Sequence, residues 1–314
     1  MSLKVAFQMD PIHSVDINAD STFRLAEEAQ KRGHTLFYYN PENLRLENGN
    51  VLALGHDLTV RREMGDHFSL GKKYLMNLRD FDVVWLRQDP PFDMGYITYT
   101  HILDRLSGDV LVVNDPFWVR NYPEKLLVLE FPELTPPTLI ARDLSALKEF
   151  KEKYKDIIIK PLYGNGGAGV FRLGVEDKNI SSLHELFSGI NREPLIAQQF
   201  LPDVSKGDKR VILVDGKPVG AINRVPAQGE TRSNMHVGGR PEKVKLSKRD
   251  IEICDQIGPL LREKGQIFVG IDVIGNWLTE INVTSPTGIQ ELERFNKENI
   301  AEIIWKVTEG KVVM

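Results

Sequence analysis

The sequence predicts an α/β unit followed by α+β structure, and three observations carry that expectation. Strand-like and helix-like stretches alternate through the first 120 residues. A glycine-rich loop, Gly164 to Gly169, stands between two apolar runs instead of opening a helix. The last third is dominated by paired apolar runs that turn at Asp215-Gly216 and Gly275-Asn276. Alternation of the first kind builds a parallel sheet through right-handed crossovers, whereas tight turns between apolar runs build antiparallel hairpins.

Taken in order, Leu3 to Met9 reads as a short apolar strand that breaks at Asp10-Pro11. Asp20 or Ser21 can cap the helix that follows, Phe23, Leu25, Ala26 and Ala29 give it an apolar stripe, and Arg32-Gly33 ends it. Thr35 to Tyr39 is a second strand, which completes a βαβ unit. Val83 to Leu86 and Val110 to Val113 are further strands, with an amphipathic helix around Tyr96 to Leu106 between them. This parallel-sheet unit is assigned residues 1–122. A central unit, residues 123–203, starts with a helix around Tyr122 to Leu129 and the proline-marked break Leu134-Thr-Pro-Pro-Thr. It continues with a helix at about 144–154, the glycine hairpin, a helix near Ser182 to Phe187, and the run Pro194 to Leu201. The third unit, residues 204–314, opens on a hairpin around Asp215-Gly216, followed by the polar, glycine-rich segment 226–241, which has no period. Loops that long are uncommon in compact domains unless they serve a function.

At 314 residues, 41% apolar and 27% charged, the chain is long enough for two or three units with shared cores. A formal charge of −4, with no block of like charges, gives no electrostatic footprint for DNA or RNA. No apolar run approaches the ~18 residues of a membrane span, and no charged start precedes an apolar segment. A cytoplasmic protein is expected. The single cysteine, Cys254, precludes an internal disulfide and a cysteine-rich zinc site, and its apolar spacing with Ile251, Ile257, Leu260 and Leu261 places it in a core.

Two constellations carry chemistry. In the first, glycine admits positive φ and lets backbone N–H groups approach an anion, so the loop after Lys160 suits a phosphate. Gly164, Gly166 and Gly169 also satisfy G-x-G-x-x-G, but Val170 to Leu173 continues as a strand, and a dinucleotide fold requires a helix there. Alone, the loop fits a phosphate cover or an ordinary glycine hairpin. In the second, Asp272 lies on one strand of a hairpin and Glu280 and Asn282 on the other, where strand alternation lets all three share a face. Two carboxylates and an amide oxygen are hard ligands that suit Mg²⁺ or Mn²⁺ and suit zinc poorly. A solvated polar face is the alternative. Divalent metal and triphosphate bind as one complex, so each constellation strengthens the other. No H-E-x-x-H or G-x-S-x-G motif is present, and no covalent nucleophile is implied.

With these residues in order, the chain resembles the ATP-grasp ligases, and among them most closely the bacterial glutathione synthetases. The likeness runs through Met9-Asp-Pro, Arg87-Gln-Asp-Pro-Pro-Phe-Asp, Lys125, the loop after Lys160, Ala197 to Leu201, Gly207-Asp-Lys-Arg, the loop from Gly229 to Arg240, and Thr279 to Pro286. It implies a pre-ATP-grasp domain followed by a two-part ATP-grasp fold, and ligation of γ-glutamylcysteine to glycine with ATP. By this resemblance Lys125 and Lys160 contact ATP phosphates beneath Gly164, Gly166 and Gly167. Gln198, Gln199 and Leu201 present backbone to adenine, and Asp208 lies near the ribose. Asp272, Glu280 and Asn282 hold Mg²⁺ or Mn²⁺, and a homo-oligomer, a tetramer, is implied. The loop is richer in glycine than the family pattern requires, and Gly288 stands where a side chain is expected.

The mechanism expected on this basis is phosphorylation of the cysteinyl carboxylate, attack of the glycine amine on the acyl phosphate, and loss of phosphate. Arg210 and Arg232 are the choices for stabilising the acyl phosphate and oxyanion, since a guanidinium engages two oxygens. Arg87, Arg224 and Ser285 are candidate substrate contacts, with a plain salt bridge the alternative for Arg87. An acyl phosphate hydrolyses in water, so 226–241 is expected to act as a closing cover. Another ATP-grasp peptide or amino-acid ligase, or a non-catalytic ATP-binding regulator, is the competing function.

Overall fold

The computed structural model describes residues 2–227, 229, 232, 233 and 238–312. Its first sheet is built around β1 (Lys4–Gln8), an almost wholly buried strand flanked in parallel by β2 (Thr35–Tyr39) and β6 (Val83–Leu86), with β7 (Leu111–Val113) beyond. Helix α1 (Ser21–Lys31) makes the first crossover, and Asp20 caps it by accepting from the Phe23 N–H at 2.6 Å. Helix α2 (Met94–Leu103) makes the second, with Tyr96, Thr100 and Leu103 facing inward.

This sheet corrects the expectation of a purely parallel one. Three strands that the sequence reading passed over, β3 (Leu44–Glu47), β4 (Asn50–Val60) and β5 (Phe68–Asn77), extend it on the β2 side, all antiparallel. The order is β3-β4-β2-β1-β6-β7, with β5 also on β4. Burial alternates along β4, where small residues such as Ala53 and Gly55 face inward, while β5 is mostly exposed.

Short helices α3 (Pro116–Asn121) and α4 (Glu124–Leu127) lead to the second sheet. Its strands β8 (Thr138–Ala141), β9 (Ile157–Pro161), β10 (Phe171–Leu173) and β11 (Leu195–Gln199) run antiparallel in the order β10-β9-β11-β8. The register Phe171↔Ile159 makes the glycine loop a strand-to-strand connection, as expected. Helices α5 (Leu144–Tyr154) and α6 (Ile180–Ile190) complete a small separate core with Leu147, Ile157, Ile159 and Ala197.

The third sheet contains β12 (Asp208–Val214), β13 (Lys217–Val225), β14 (Arg240–Lys243), β15 (Phe268–Ile274) and β16 (Trp277–Asn282), in the order β14-β13-β12-β15-β16. Both expected hairpins are present, with Asp215 and Gly216 at φ 49 and 74 in the first turn and Gly275 at φ 59 in the second. Helix α7 (Lys248–Glu263) carries Cys254 into the core, where burial pushes the thiol up to about 12. Here α7 meets the first turn backbone to backbone: a Cβ on Gly258 would lie 2.2 Å from the Gly216 carbonyl oxygen.

Helices α8 (Ile289–Asn296) and α9 (Ile300–Val312) return to the first sheet. Trp305 packs edge-on against Trp85, with ring centroids 5.6 Å apart, and donates its indole N–H to the Leu25 carbonyl at 2.9 Å. Arg24 bonds Glu293 at 2.8 Å across the same junction. The two larger cores each mix residues from the first and third sheets, whereas the β8–β11 sheet packs on its own core. The first and third units therefore form one body, and the glycine-loop sheet faces it across a cleft. Even Leu127, Val128 and Leu134, sequentially close to the middle sheet, belong to the shared core.

Candidate active site

The cleft has a volume of about 980 Å³ and is lined from all three sheets. At one end, α4 delivers Lys125, the end of β9 delivers Lys160, and β16 delivers Glu280 between them. Lys160 Nζ lies 3.4 Å and Lys125 Nζ 3.7 Å from the same Glu280 Oε1. Lys125 also donates to the Gly164 carbonyl at 2.6 Å, which ties the glycine loop down over the site. Burial opposes charge on Glu280, but the two lysines outweigh it and lower its pKa. Burial likewise opposes the Lys125 charge, and Glu280, Glu124 and Asp272 outweigh it and raise its pKa.

The loop itself curls through Gly166, Gly167 and Gly169 at φ 59, 82 and 70. That conformation turns successive backbone N–H groups to one side, the arrangement of an anion nest. Gly164 is needed for space as well, because a Cβ there would lie 2.5 Å from Pro161 Cγ.

A second chain of buried charges runs beside the first. Arg210 on β12 faces Asp272 on β15 in register and grips it with both arms of its fork, Nε to Oδ1 at 2.5 Å and an Nη to Oδ2 at 3.1 Å. Gly270 makes room, since a Cβ there would meet Arg210 Cδ at 3.0 Å. Arg224 reaches Asp272 at 2.9 Å and Asp208 at 2.6 Å, and Asp208 also accepts from Ser233 at 2.9 Å. Burial pushes Asp208 up to about 6 even with Arg224 beside it. Asp272 differs: burial raises its pKa, but Arg210 and Arg224 overcome that and hold the carboxyl well below the usual carboxylate range.

This difference gives a stability prediction. A carboxylate with a depressed folded pKa contributes stability above its ordinary value of 3.8 and loses it only as pH falls through the lower folded value. Asp272→Asn leaves two buried guanidinia without that partner and should cost roughly 3–5 kcal/mol at pH 7. Urea titrations should find the deficit unchanged from pH 8 to pH 5 and shrinking only below about pH 4.

All three residues expected to hold a metal meet here, but not equivalently. Asn282 donates its amide to Asp272 Oδ2 at 3.3 Å, which leaves the amide oxygen as its acceptor. Both Asp272 oxygens are taken by guanidinium donors, while Glu280 faces the two lysines. Among the described residues no group of three or more His, Cys, Asp or Glu side chains forms a metal cage. The donor set therefore fits a hard cation that takes its remaining ligands from phosphate and water, as Mg²⁺ commonly does.

The other expected residues line the same cleft. Gln198 sits inside the sheet, paired with Thr138 on one side and Ile158 on the other, and its side chain donates to Thr138 Oγ1 at 2.9 Å. Its backbone is thus engaged with both neighbouring strands, unlike the expected open edge; Gln199 to Leu201 run past the end of β8 and line the cleft. Arg87 is buried, donating to Thr22 Oγ1 and the Pro286 carbonyl at 3.0 Å each, and Ser285 donates to the Gln88 carbonyl at 2.6 Å. Arg232 donates to the Gly167 carbonyl at 3.3 Å. Of the expected cover 226–241, residues 228, 230, 231 and 234–237 lie outside the described residues, and residues 240 and 241 belong to β14.

Sequence reasoning missed Glu124. It lies half-buried beside Lys125, accepts from Thr284 Oγ1 at 3.0 Å, and has its pKa raised by burial. In the sequence, Pro123-Glu124-Lys125 looks like a solvated helix start, and no local signal separates it from one.

Comparison with known proteins agrees with this geometry. A model of the prokaryotic glutathione synthetase N-terminal domain matches residues 3–120, and one of the prokaryotic glutathione synthetase ATP-grasp domain matches residues 124–297. Similar relatives include the glutathione synthetases of Mesorhizobium japonicum (58% identical, covering 99% of each chain), Brucella melitensis (57%, covering 99% of this chain and 100% of that one) and Yersinia pestis (44%, covering 93% and 92%). Among solved structures, D-cycloserine synthetase DcsG superposes with a TM-score of 0.70 at 13% identity over 98% of this chain and 99% of that one. The ATP-grasp ligase PsnB, complexed with a minimal precursor, Mg and ADP, gives 0.62 at 16% identity over 97% and 98%. At those identities the likeness is one of fold.

Proposed function

The chain belongs to the prokaryotic glutathione synthetase family and is an ATP-dependent ligase, and from that premise we propose how its cleft joins γ-glutamylcysteine to glycine. The observation that carries the reading is the convergence of Lys125, Lys160 and the glycine nest on Glu280, next to the Arg210–Asp272 pair. Lys125 and Lys160 hold the β- and γ-phosphates, with backbone N–H groups at Gly164, Gly166 and Gly167 closing over them. Gln199 and Leu201 border the adenine, Gln198 supports them from within the sheet, and Asp208 lies toward the ribose.

Glu280 and Asn282, with Asp272 behind them, hold the divalent ion, Mg²⁺ or Mn²⁺. Held there, the ion would supply charge neutralisation for the transferring phosphate. The cysteinyl carboxylate oxygen attacks the γ-phosphorus, the bond to the bridging oxygen of ADP breaks, and an acyl phosphate forms. The glycine nitrogen, having lost a proton, attacks the acyl carbon, and the C–O bond to phosphate breaks from the tetrahedral intermediate. Arg210, held against Asp272, and Arg232, beside the Gly167 carbonyl, stabilise the phosphoryl and oxyanion charge. Arg87 and Ser285 border the dipeptide, and Arg224, tied to Asp208 and Asp272, holds the carboxylates in place. A homo-oligomer, a tetramer, and a cytoplasmic location complete the proposal. Among the described residues no helix is long and apolar enough to cross a membrane.

ADP release, measured while omitting γ-glutamylcysteine and glycine in turn, tests the reaction. Dependence on both is expected, and release with a different amino-acid pair alone would assign another ligase activity. Arg232→Ala should lower kcat by roughly 10²–10³ with nucleotide affinity little changed. Wild-type turnover in that variant would remove Arg232 from the chemistry.

A further inference from the structure

The hairpin that carries Asp272, Glu280 and Asn282 changes phase in its middle. Its turn at Gly275-Asn276 pairs Ile274 with Trp277 and Val273 with Leu278. At the next step the count no longer matches: Asp272 pairs with Glu280, Ile271 with Ile281 and Gly270 with Asn282. Thr279 is the surplus residue, a β-bulge on β16. The core records the same shift. Val269, Ile271 and Val273 reach it from β15 at the regular strand spacing, whereas β16 contributes Leu278 and then Ile281 and Val283. The step from Leu278 to Ile281 does not fit a regular strand with one buried face, and the bulge accounts for it.

This bulge decides where the metal-site side chains point. If the ladder ran on from the turn without it, Thr279 would stand opposite Asp272. Glu280 would then stand opposite Ile271 and Asn282 opposite Val269, both on the core side of the sheet. With the extra residue in place, Glu280 and Asn282 line the cleft together with Asp272.

The surplus residue is also locked. Thr279 is 6% exposed, and its hydroxyl donates across the strands to the Asp272 carbonyl at 3.1 Å. On either side of it the hairpin is held from outside. Asn114 grips the base, accepting from the Phe268 N–H at 2.9 Å and donating to the Phe268 and Val283 carbonyls at 2.7 and 2.8 Å. Nearer the turn, the Leu278 N–H donates to the Leu134 carbonyl at 2.9 Å. The offset between the strands is thus confined to the stretch between these anchors, and the hydroxyl pins it beside Asp272.

We propose that Thr279 is a positioning residue for the cation site: its bulge, held by the hydroxyl, keeps Glu280 and Asn282 in phase with Asp272. The inference rests on the assignment of those three residues to the cation and adds the residue that brings them to one face. Thr279 acts through them, since its own hydroxyl is spent on the Asp272 carbonyl.

Mn²⁺ binding to the enzyme–ADP complex, followed by EPR titration, tests this in wild type, Thr279→Val, Thr279→Ser and Thr279→Ala. Thr279→Val keeps the β-branched shape and should weaken Mn²⁺ binding on the order of 10-fold, the scale of a buried carbonyl left without its donor. Metal-free ADP affinity should stay within a few-fold of wild type. Thr279→Ser should retain Mn²⁺ affinity and Thr279→Ala should lose it, so the serine and alanine variants give the same comparison if the valine variant fails to fold. Thermal midpoints separate the effect from plain destabilisation. A lowered midpoint with wild-type Mn²⁺ affinity in the valine and alanine variants would overturn the positioning role, and so would a loss in Thr279→Ser equal to that in Thr279→Ala. Glu280→Gln tests the underlying assignment. Wild-type Mn²⁺ affinity in that variant would overturn the cation site itself, whereas weakened binding there with none in the valine and alanine variants would overturn the role of Thr279 alone.

Discussion

Glu280→Gln should cut ADP release by roughly 10³-fold while leaving a folded protein that still binds nucleotide without metal. On the proposed reading Glu280 has two tasks that share one oxygen. Its Oε1 lies 3.7 and 3.4 Å from Lys125 and Lys160; when ATP binds, those lysines would pass to phosphate and Glu280 would face the cation. The amide keeps the shape and hydrogen-bonding capacity but loses the charge. A hard divalent ion then has Asn282 and an Asp272 already committed to Arg210 and Arg224. Several kcal/mol of transition-state stabilisation depends on that ion, and 1.36 kcal/mol is a decade in rate. Metal-free nucleotide affinity should move the other way and strengthen slightly, because two buried ammonium groups no longer have a resident carboxylate. Titrating Mg²⁺ or Mn²⁺ against rate, with calorimetry of metal-free ATP binding alongside, separates the two tasks. Wild-type metal dependence in the variant would take Glu280 out of the cation site.

The hairpins on which the site stands were legible because their signals are local. Asp215, Gly216 and Gly275 supply the positive φ that these turns need, and Asp20 caps α1 by its own side chain. Strands β3 to β5 were not legible for a physical reason. Most of β5 is exposed, so it carries no apolar period, and β4 fills its inner face partly with alanine and glycine, whose small side chains leave a weak pattern. Within the site, the residue set was readable but its wiring was not. That Asp272 is gripped by Arg210 depends on the register of β12 against β15, between residues 62 apart in the chain. Glu124 is drawn into the site because α4 packs against β16, and Glu291 is buried because α8 folds back onto α1, which no local pattern encodes.

Arg210→Ala should damage both fold and chemistry, and the two losses can be told apart. Removing the guanidinium leaves Asp272, 3% exposed, with Arg224 and the Asn282 amide as its remaining donors and a void beside Gly270. Breaking a buried pair in this way costs about 3–5 kcal/mol, a large share of a domain's net stability. Turnover should fall by a further factor of roughly 10²–10³ in whatever protein remains folded, because on the proposed reading Arg210 would stand where the acyl phosphate's charge develops. Arg210→Lys distinguishes the effects. Lysine restores the charge facing Asp272 but not the planar fork, so it should recover most of the stability and little of kcat. Denaturant unfolding and single-turnover ADP release on the two variants give the comparison. If Arg210→Lys regained rate in step with stability, Arg210 would be a strut for Asp272, and the charge on the transferring phosphoryl group would be left to Arg232 and the lysines.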